Sequence, residues 1–548
     1  MLKRFCLVSL RSVYFYIVDK VKAGEVLVID LFAGPGGLGE GISSCQHENG
    51  SSPFQIGLSV EKDPHAHRTL TTRAFFRKVK GVPGGLDDYY EYVRGNLSRE
   101  ALFQRYPEQA REANIETLEG PKELGVDNNL IHERIRELTG KHSGPTVVIG
   151  GPPCQAYSLA GRSRNAGIKN YKAEKDSRNF LYLQYLKVLS IAKPNVFIME
   201  NVRGILSAKL NGKVMFPQLL KDLRSPSRVT KVKGGPKYKI YSLVVKAEKS
   251  DNPQYKDTRD FLIKSEEYGV PQARHRVILI GIREDIKATP STLEKANDTI
   301  SVESVLSDLP PLRSGFSKKT ENEQQVWTKL VSKNSKYLKK LLRKSRLYSS
   351  EIIDDLDIEP VKKLERVDSQ HENIDKAQLP SPLKEWLLDG NLNCVLNHDT
   401  RGHMGSDLLR YAFCAVHAKL NNGISPKSKD FPKELAPNHK NWESGDHADR
   451  FRVQSANKFA TTITSHISKD GHYFVHYDPK QCRSLTVREA ARLQTFPDNY
   501  FFEGGRTHQY VQVGNAVPPF LAKQIGHIVL TLISKISPDE NNQECRCG

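Results

Sequence analysis

Short runs of apolar, largely β-branched residues recur along the chain: VLVID (26–30), FQIGLSV (54–60), TVVIGG (146–151), NVFIMEN (195–201) and RVILIG (276–281). Continuous apolar runs, unlike alternating ones, mark strands buried on both faces. Between several of them lie amphipathic stretches such as NFLYLQYLKVLSIAKP (179–194), where Phe180, Leu183, Leu186, Val188 and Leu189 fall near helical spacing. Strands separated by helices predict an α/β fold with a buried parallel sheet of doubly wound type. The span 62–145 is long for one connection and carries helical patterns of its own, ALFQRYPEQAREAN and LIHERIRELTG. It reads as an elaborated βα segment.

From residue 286 to 482 the pattern changes: the chain becomes polar, rich in Lys, Asn, Ser and Asp, and lacks buried strands. A strongly basic helical piece, KNSKYLKKLLRKSRLY (333–348), stands out there. A solvated helix face is the ordinary account of such a piece, and a phosphate-contacting surface is the sharper one. From 483 onward helical patterns return in LTVREAARLQTF and PFLAKQIGHIVLTLISKI. The expected organisation is an N-terminal extension (1–24), an α/β domain (25–285), a polar insertion (286–482) and a return to the first domain (483–548).

Composition narrows the function. With 82 Lys and Arg against 63 Asp and Glu, the formal charge of +19 favours a polyanionic partner through counterion release. The eight cysteines include no C-x-x-C pair, and the spacing in ECRCG does not suit a zinc knuckle. That usage fits a reducing compartment and leaves room for a chemically active thiol. No apolar run approaches the roughly 18 residues that span a bilayer. The opening MLKRFCLVSLRSVYFYIVDK resembles a signal peptide only briefly, since Arg11 interrupts it and no small-residue cleavage site follows. A cytoplasmic protein is expected.

Four stretches carry candidate chemistry. In VLVIDLFAGPGGLGEG (26–41), Gly34, Gly36 and Gly39 satisfy G-x-G-x-x-G after a strand, and Glu61 follows in LSVEKD where a ribose-binding carboxylate is expected. The loop suits a dinucleotide or another adenosine-bearing cofactor. In IGGPPCQAYSLAGRSR (149–164), two glycines and two prolines present Cys154 from a rigid turn at a strand's carboxyl end. A buried apolar cysteine is the ordinary alternative, but Cys154 stands among turn residues beside polar Gln155. Arg162, Arg164, Lys169 and Lys172 follow in a loop with Gly161 and Gly167, where positive charge favours a thiolate and an anionic substrate. IMENVRG (198–204) places Glu200 and Asn201 at another strand end, where a desolvated carboxyl can donate to a ring nitrogen. In YGVPQARHRVILIG (268–281), Arg274 and Arg276 alternate just before a strand and can point toward one edge.

Taken in order with RSLTVREAARLQTFPD (483–498) and YVQVGNAVPPFLAKQIG (510–526), these segments resemble the DNA (cytosine-5)-methyltransferase family over residues 25–285 and 450–530. The resemblance implies a Rossmann-like S-adenosylmethionine-dependent domain with an inserted, mostly irregular target-recognition domain at 286–482. By resemblance Phe32, Ala33, Gly34, Gly36, Gly37 and Leu38 cradle S-adenosylmethionine, with Glu61 on its ribose, Lys62 alongside and Pro152 nearby. Asn96, in VRGNLS, occupies the adenine-contacting place where the family usually shows Asp. Asn515 returns to the cofactor's methionine side, Ala516 replaces a common Ser, and Thr495 stands where Gly is frequent.

The implied chemistry is addition of the Cys154 thiolate to carbon 6 of cytosine, which makes carbon 5 nucleophilic enough to accept a methyl group. Glu200 bonds nitrogen 3, Arg276 and Arg274 hold the base's carbonyl oxygen, and Gln155 belongs to the same turn. The base must leave the duplex, with Ser158, Arg162, Arg164 and Arg203 as DNA contacts. In the recognition region, His398, His403, His466, His472 and His476 are expected on phosphate or bases, and no metal is expected. A nicotinamide dehydrogenase would leave Cys154 and Glu200 idle, RNA-modifying relatives have a more compact second domain, and a silent DNA-binding relative would lack the reactive residues. The expected whole is a monomeric modification enzyme of a prokaryotic restriction–modification system, paired functionally but without a stable complex with a restriction endonuclease.

Overall fold

Strand β1 (Val26–Leu31) is buried along its whole length, as its unbroken apolar run requires. It lies between β2 (Phe54–Val60) and β3 (Thr146–Gly150), parallel to both, and β3 pairs in parallel with β4 (Val196–Val202). A small ribbon of β5 (Lys209–Leu210) and β6 (Lys213–Val214) follows. The sheet continues through β7 (Tyr238–Ser242), β8 (Leu262–Lys264) and β9 (His275–Arg283) in the order β2–β1–β3–β4–β9–β7, with β8 also on β9. These strands come from a computed structural model that describes residues 25–47, 50–153, 179–210, 213–345, 348–361, 364–370, 378–437, 442 and 449–535.

The sheet is mixed, where the sequence predicts a parallel one. β9 runs antiparallel to β4, β7 and β8. Parallel neighbours need a crossover, usually an α-helix, and between β7 and β9 the chain supplies only two single-turn 3-10 segments, Thr258–Phe261 and Ser265–Tyr268.

Helices cover both faces. Gly37–Ser43 and Pro519–Ser534 pack together on one face, and Asn128–Lys141, Asn179–Ala192 and Phe216–Arg224 lie on the other. Within the apolar stretch Arg506–Ser534, 67% of an 18-residue apolar window is buried inside the protein, which explains its composition. The helices between Pro64 and Glu116 build an aromatic cluster of Phe75, Phe76, Tyr89, Tyr90 and Tyr92 that also takes in Leu392 and Leu396. Tyr92, Thr72 and Arg68 of this segment converge on the buried carboxylate of Glu503.

The polar region has a core of its own. Helices Glu323–Ser345 and Gly405–Leu420 pack around fully buried Trp327. Its first and last stretches, near 300–309 and 460–474, share a core with the Val487–Leu493 and Arg506–Asn515 helices. The Val487–Leu493 helix begins with a capping box in which the Glu489 amide donates to Thr486 Oγ1 at 3.2 Å and the Thr486 amide to Glu489 at 2.7 Å. Arg483 clamps the same Glu489 through two bonds of 2.7 Å, and buried Arg492 joins Asp308 to Asp498.

Four of the five histidines expected on DNA are instead buried in this seam. His398 bonds the Thr486 hydroxyl and the Pro310 carbonyl, while His403 and His472 share the Tyr411 hydroxyl. His476 lies against Glu489 at 3.5 Å. Only His466 is exposed, so it alone of the five keeps the access that a DNA contact requires.

Burial holds His398 and His476 down, each to about 4, so both stay neutral in the folded protein. Unfolded histidine titrates near 6.5, so the unfolded chain binds more protons as pH falls below that value. The expected outcome is a melting temperature that drops progressively from pH 6.5 toward pH 4, and a shallower drop for His398→Gln, read by calorimetry across that range.

Candidate active site

After β1 the backbone turns back on itself. Phe32 (φ 55°), Gly34 (φ 58°) and Gly36 (φ 98°) all take left-handed conformations, and the Gly37–Ser43 helix starts at once. Gly37 is required by close approach, because a Cβ there would lie 2.3 Å from the Val517 carbonyl oxygen. The glycine loop and the turn of GNAVPP are therefore seated directly on each other.

Beside this loop, Glu61 leaves the end of β2. Its carboxylate accepts the Gly34 amide at 2.8 Å, the Lys62 amide at 2.9 Å and the Asp63 amide at 2.7 Å. Burial pushes its pKa up, and the three amide donors oppose that shift. Asp63 in turn caps the Pro64–Val79 helix by accepting from the His65 and Ala66 amides.

One cavity of about 470 Å³ runs from this corner across the carboxyl ends of β1, β3 and β4. Phe32, Ala33, Gly34, Gly37, Leu38, Glu61, Lys62, Pro152, Glu200, Arg274, Arg276, Asn515 and Ala516 all line it. Gly36 does not line it; a Cβ there would meet Leu70 and the Tyr500 hydroxyl. Arg203 is exposed in the turn after β4, next to Val202 on the cavity wall. Cys154, Gln155, Ser158, Arg162, Arg164, Lys169 and Lys172 lie outside the described residues.

Asn96 sits elsewhere. It is exposed on the Arg94–Asn96 turn and donates to Glu91 at 2.9 Å. Lys122, Glu123 and Leu124 line the cavity beside Glu61, with the Lys122 amide donating to the Glu61 carbonyl at 2.8 Å and Lys62 bonding Glu123 at 2.7 Å. PKELG (121–125) carried no sequence signal beyond one acid in a polar loop, whereas VRGNLS resembled the family's motif. Only the folding of that loop against β2 singles out Glu123.

At the opposite end, Arg276 Nε lies 2.8 Å from Glu200 Oε1 but off the N–H direction, so the contact is an ion pair more than an aligned hydrogen bond. Burial lowers the Arg276 pKa and Glu200 opposes the shift. Arg274 is buried without a carboxylate partner, and it donates to the Ile463 carbonyl at 2.7 Å and the Gly514 carbonyl at 3.2 Å. Desolvation and the neighbouring Arg276 lower its pKa as well. It thus ties the 460–465 segment to the Gly514–Asn515 turn, while Arg276 faces the acid. Asn201 donates to the Pro152 carbonyl at 3.1 Å and fixes the turn that leads to Cys154. Gly151 admits Glu200, since a Cβ there would stand 2.6 Å from Glu200 Oε2.

Thr495 has φ 64°, a left-handed backbone that costs a β-branched residue and explains why glycine suits the position. Here the site is over-determined by bonds from the Phe520 amide to its hydroxyl (3.1 Å) and from Trp386 Nε1–H to its carbonyl (2.7 Å).

The glycine-loop end is rich in carboxylates. Glu61 and Glu123 line it, and Asp30 stands behind with both oxygens buried and without a hydrogen-bond partner among the described residues. Burial pushes Asp30 up to about 8. The Gly34 amide is taken up by Glu61 and is not free for a diphosphate, so the residues fit S-adenosylmethionine better than a nicotinamide dinucleotide.

The fold and this site define a Rossmann-like methyltransferase. The chain matches the family model for C-5 cytosine-specific DNA methylase over residues 123–530, and it belongs to that family. It is 34% identical to the Type II methyltransferase M.Bpa9945I of Bacillus paralicheniformis, over 93% of this chain and 99% of that one. It is 26% identical to the Type II methyltransferase M.DdeI of Desulfomicrobium norvegicum, over 91% and 87% of the two chains. A solved structure described as a putative DNA modification methyltransferase from an E. coli prophage is similar over 93% of this chain and 100% of its own, at 20% identity and a TM-score of 0.49. The protein is accordingly a DNA cytosine-5 methyltransferase of the restriction–modification type.

Gly37→Ala is expected to force the glycine loop off the Val517 carbonyl, destabilising the protein by about 1–3 kcal/mol. Urea unfolding measures that loss, and calorimetric titration should show S-adenosylmethionine binding lost or strongly weakened.

Proposed function

We propose that the protein methylates carbon 5 of a cytosine flipped out of a specific duplex DNA sequence, through a covalent adduct with Cys154. The observation that carries this reading is one cavity holding the Glu61 corner at one end and the Glu200–Arg276 pair at the other, with the turn that leads to Cys154 between them.

S-adenosylmethionine, when bound, supplies an electrophilic methyl group. Glu61 receives its ribose hydroxyls, Phe32 and Leu38 flank its adenosine, and Glu123 replaces Asn96 as the acceptor for the adenine amine. Asn515 and Ala516 border the opposite side.

The Cys154 thiolate forms a bond to carbon 6 of the flipped base, and the ring's electron pair moves toward carbon 5. Glu200 holds a proton at nitrogen 3, which offsets charge developing on the ring, and Arg276 donates to the carbonyl oxygen. Arg274 acts through the segments it joins, so its role is to position Asn515 and the 460–465 stretch. Once carbon 5 carries the methyl group, loss of its proton expels Cys154 and restores the aromatic ring. A lone enzyme protecting host DNA in the cytoplasm, alongside but not bound to an endonuclease, is consistent with the Type II relatives.

Cys154→Ser is expected to abolish turnover while duplex binding survives, and Glu200→Gln to lower kcat by about 10²–10⁴-fold. Labelled S-adenosylmethionine offered with plasmid DNA and, separately, tRNA reads both. Methyl transfer to tRNA alone, or near wild-type transfer by Cys154→Ser, overturns the assignment.

A further inference from the structure

The Glu323–Ser345 helix carries seven cationic residues and a single acid, Glu323. Its apolar side is fixed: Trp327, Val331, Leu338, Leu341 and Leu342 are buried in the second core. Its cations divide into two groups. Toward the C-terminal end, Arg343 pairs with Asp354, Lys344 with Glu434, and Lys339 donates to the Asp354 carbonyl. The remaining four, Lys329, Lys333, Lys336 and Lys340, are exposed and make no ion pair among the described residues.

At 100° per residue these four lie within an arc of about 60°, opposite the buried side, and extend along about 16 Å of helix axis. A merely solvated helix normally intersperses acids at i,i+4 positions, which would neutralise such a row. The helix's one acid is turned inward, where Glu323 accepts from Arg313 and from the Phe316 amide. The row therefore presents an unneutralised line of ammonium groups.

Its location connects to the active site. A Cβ on Gly405 would lie 3.2 Å from Leu330 of this helix, and Gly405 follows the strand Gly402–His403. Just before that strand, Arg401 stacks at 4.8 Å over Tyr510, and Asp399 pairs with Arg506 at 2.5 Å. Tyr510 and Arg506 belong to the helix whose Val511 and Gln512 line the cavity. The helix that carries the row thus packs on a segment that is itself buttressed against the cavity wall.

The geometry points to this row as a phosphate-contacting track that grips duplex DNA flanking the target base, independent of its sequence. The inference rests on duplex DNA as the substrate. A rigid helix with four aligned ammonium groups matches a uniform polyanion, whose phosphate oxygens recur at every step of the duplex whatever its sequence.

The test compares the wild type with Lys329→Gln/Lys333→Gln/Lys336→Gln/Lys340→Gln and with a control, Lys231→Gln/Lys233→Gln/Lys246→Gln/Lys249→Gln, which removes equal charge from exposed lysines flanking β7. Binding of the full-length proteins to a labelled 60-base-pair random duplex is followed by anisotropy at several salt concentrations. Each phosphate contact contributes about 0.9 to the slope of log K against log salt, so the row variant should be shallower by about 2–4 while the control stays near wild type. Thermal unfolding and S-adenosylmethionine binding should match wild type for the row variant. Equal loss in both variants, or an unchanged slope in the row variant, overturns the track. Wild-type protein that binds no duplex at all overturns the DNA reading along with it, whereas duplex binding without methyl transfer counts against the proposed chemistry and leaves the track supported.

Discussion

Between β4 and β9 an antiparallel ladder runs from the pair Val196–Ile282 to the pair Val202–Arg276. Strand direction is what brings the acid and the arginines together. In a parallel strand the residues at its start lie at the amino edge of the sheet, across the protein from the ends of β1, β3 and β4. Because β9 is reversed, its start lies at their carboxyl edge, and Arg276 falls diagonally opposite Glu200. Arg274, two residues earlier, reaches past the sheet to the Ile463 and Gly514 carbonyls. The Glu200–Arg276 end of the cavity exists because one strand runs against the others.

At the cavity's other end the deciding property is which backbone donors are free. Glycine loops that open a helix serve many cofactors, since close backbone approach and free amides are common to all of them. Here Glu61 itself accepts the Gly34 amide, which takes that donor away from a phosphate. A loop whose amide is held by its own acid favours a cofactor without a diphosphate.

The parts distant in sequence are held by buried polar networks as well as by apolar packing. Glu489 receives Arg483 and the Thr486 amide, Arg492 bridges Asp308 and Asp498, and Glu503 collects side chains from the Pro64–Glu116 helices. Burying such charges is tolerable only when every partner is in place, which makes these contacts specific about geometry. They set the 286–482 region against the catalytic half, and the long 62–145 segment serves as a brace between the two.

Much of this was legible in the sequence. Unbroken apolar runs determined the buried strands, the order of DLFAGPGG, PPCQ, ENV and QARHR determined the family, and KNSKYLKKLLRKSRLY (333–348) determined a strongly basic helical piece. These are local properties, fixed by side-chain periodicity and by turns that only glycine or proline makes well. Tertiary structure alone decided the rest. The reversal of β9 depends on its insertion between β4 and β7 by a connection without an α-helix, the exclusion of Asn96 from the cavity wall depends on which loop closes on β2, and the burial of His398, His403, His472 and His476 depends on segments up to 88 residues apart meeting. A local pattern specifies what a residue can do, and only the packing of distant segments specifies which neighbour it does it with.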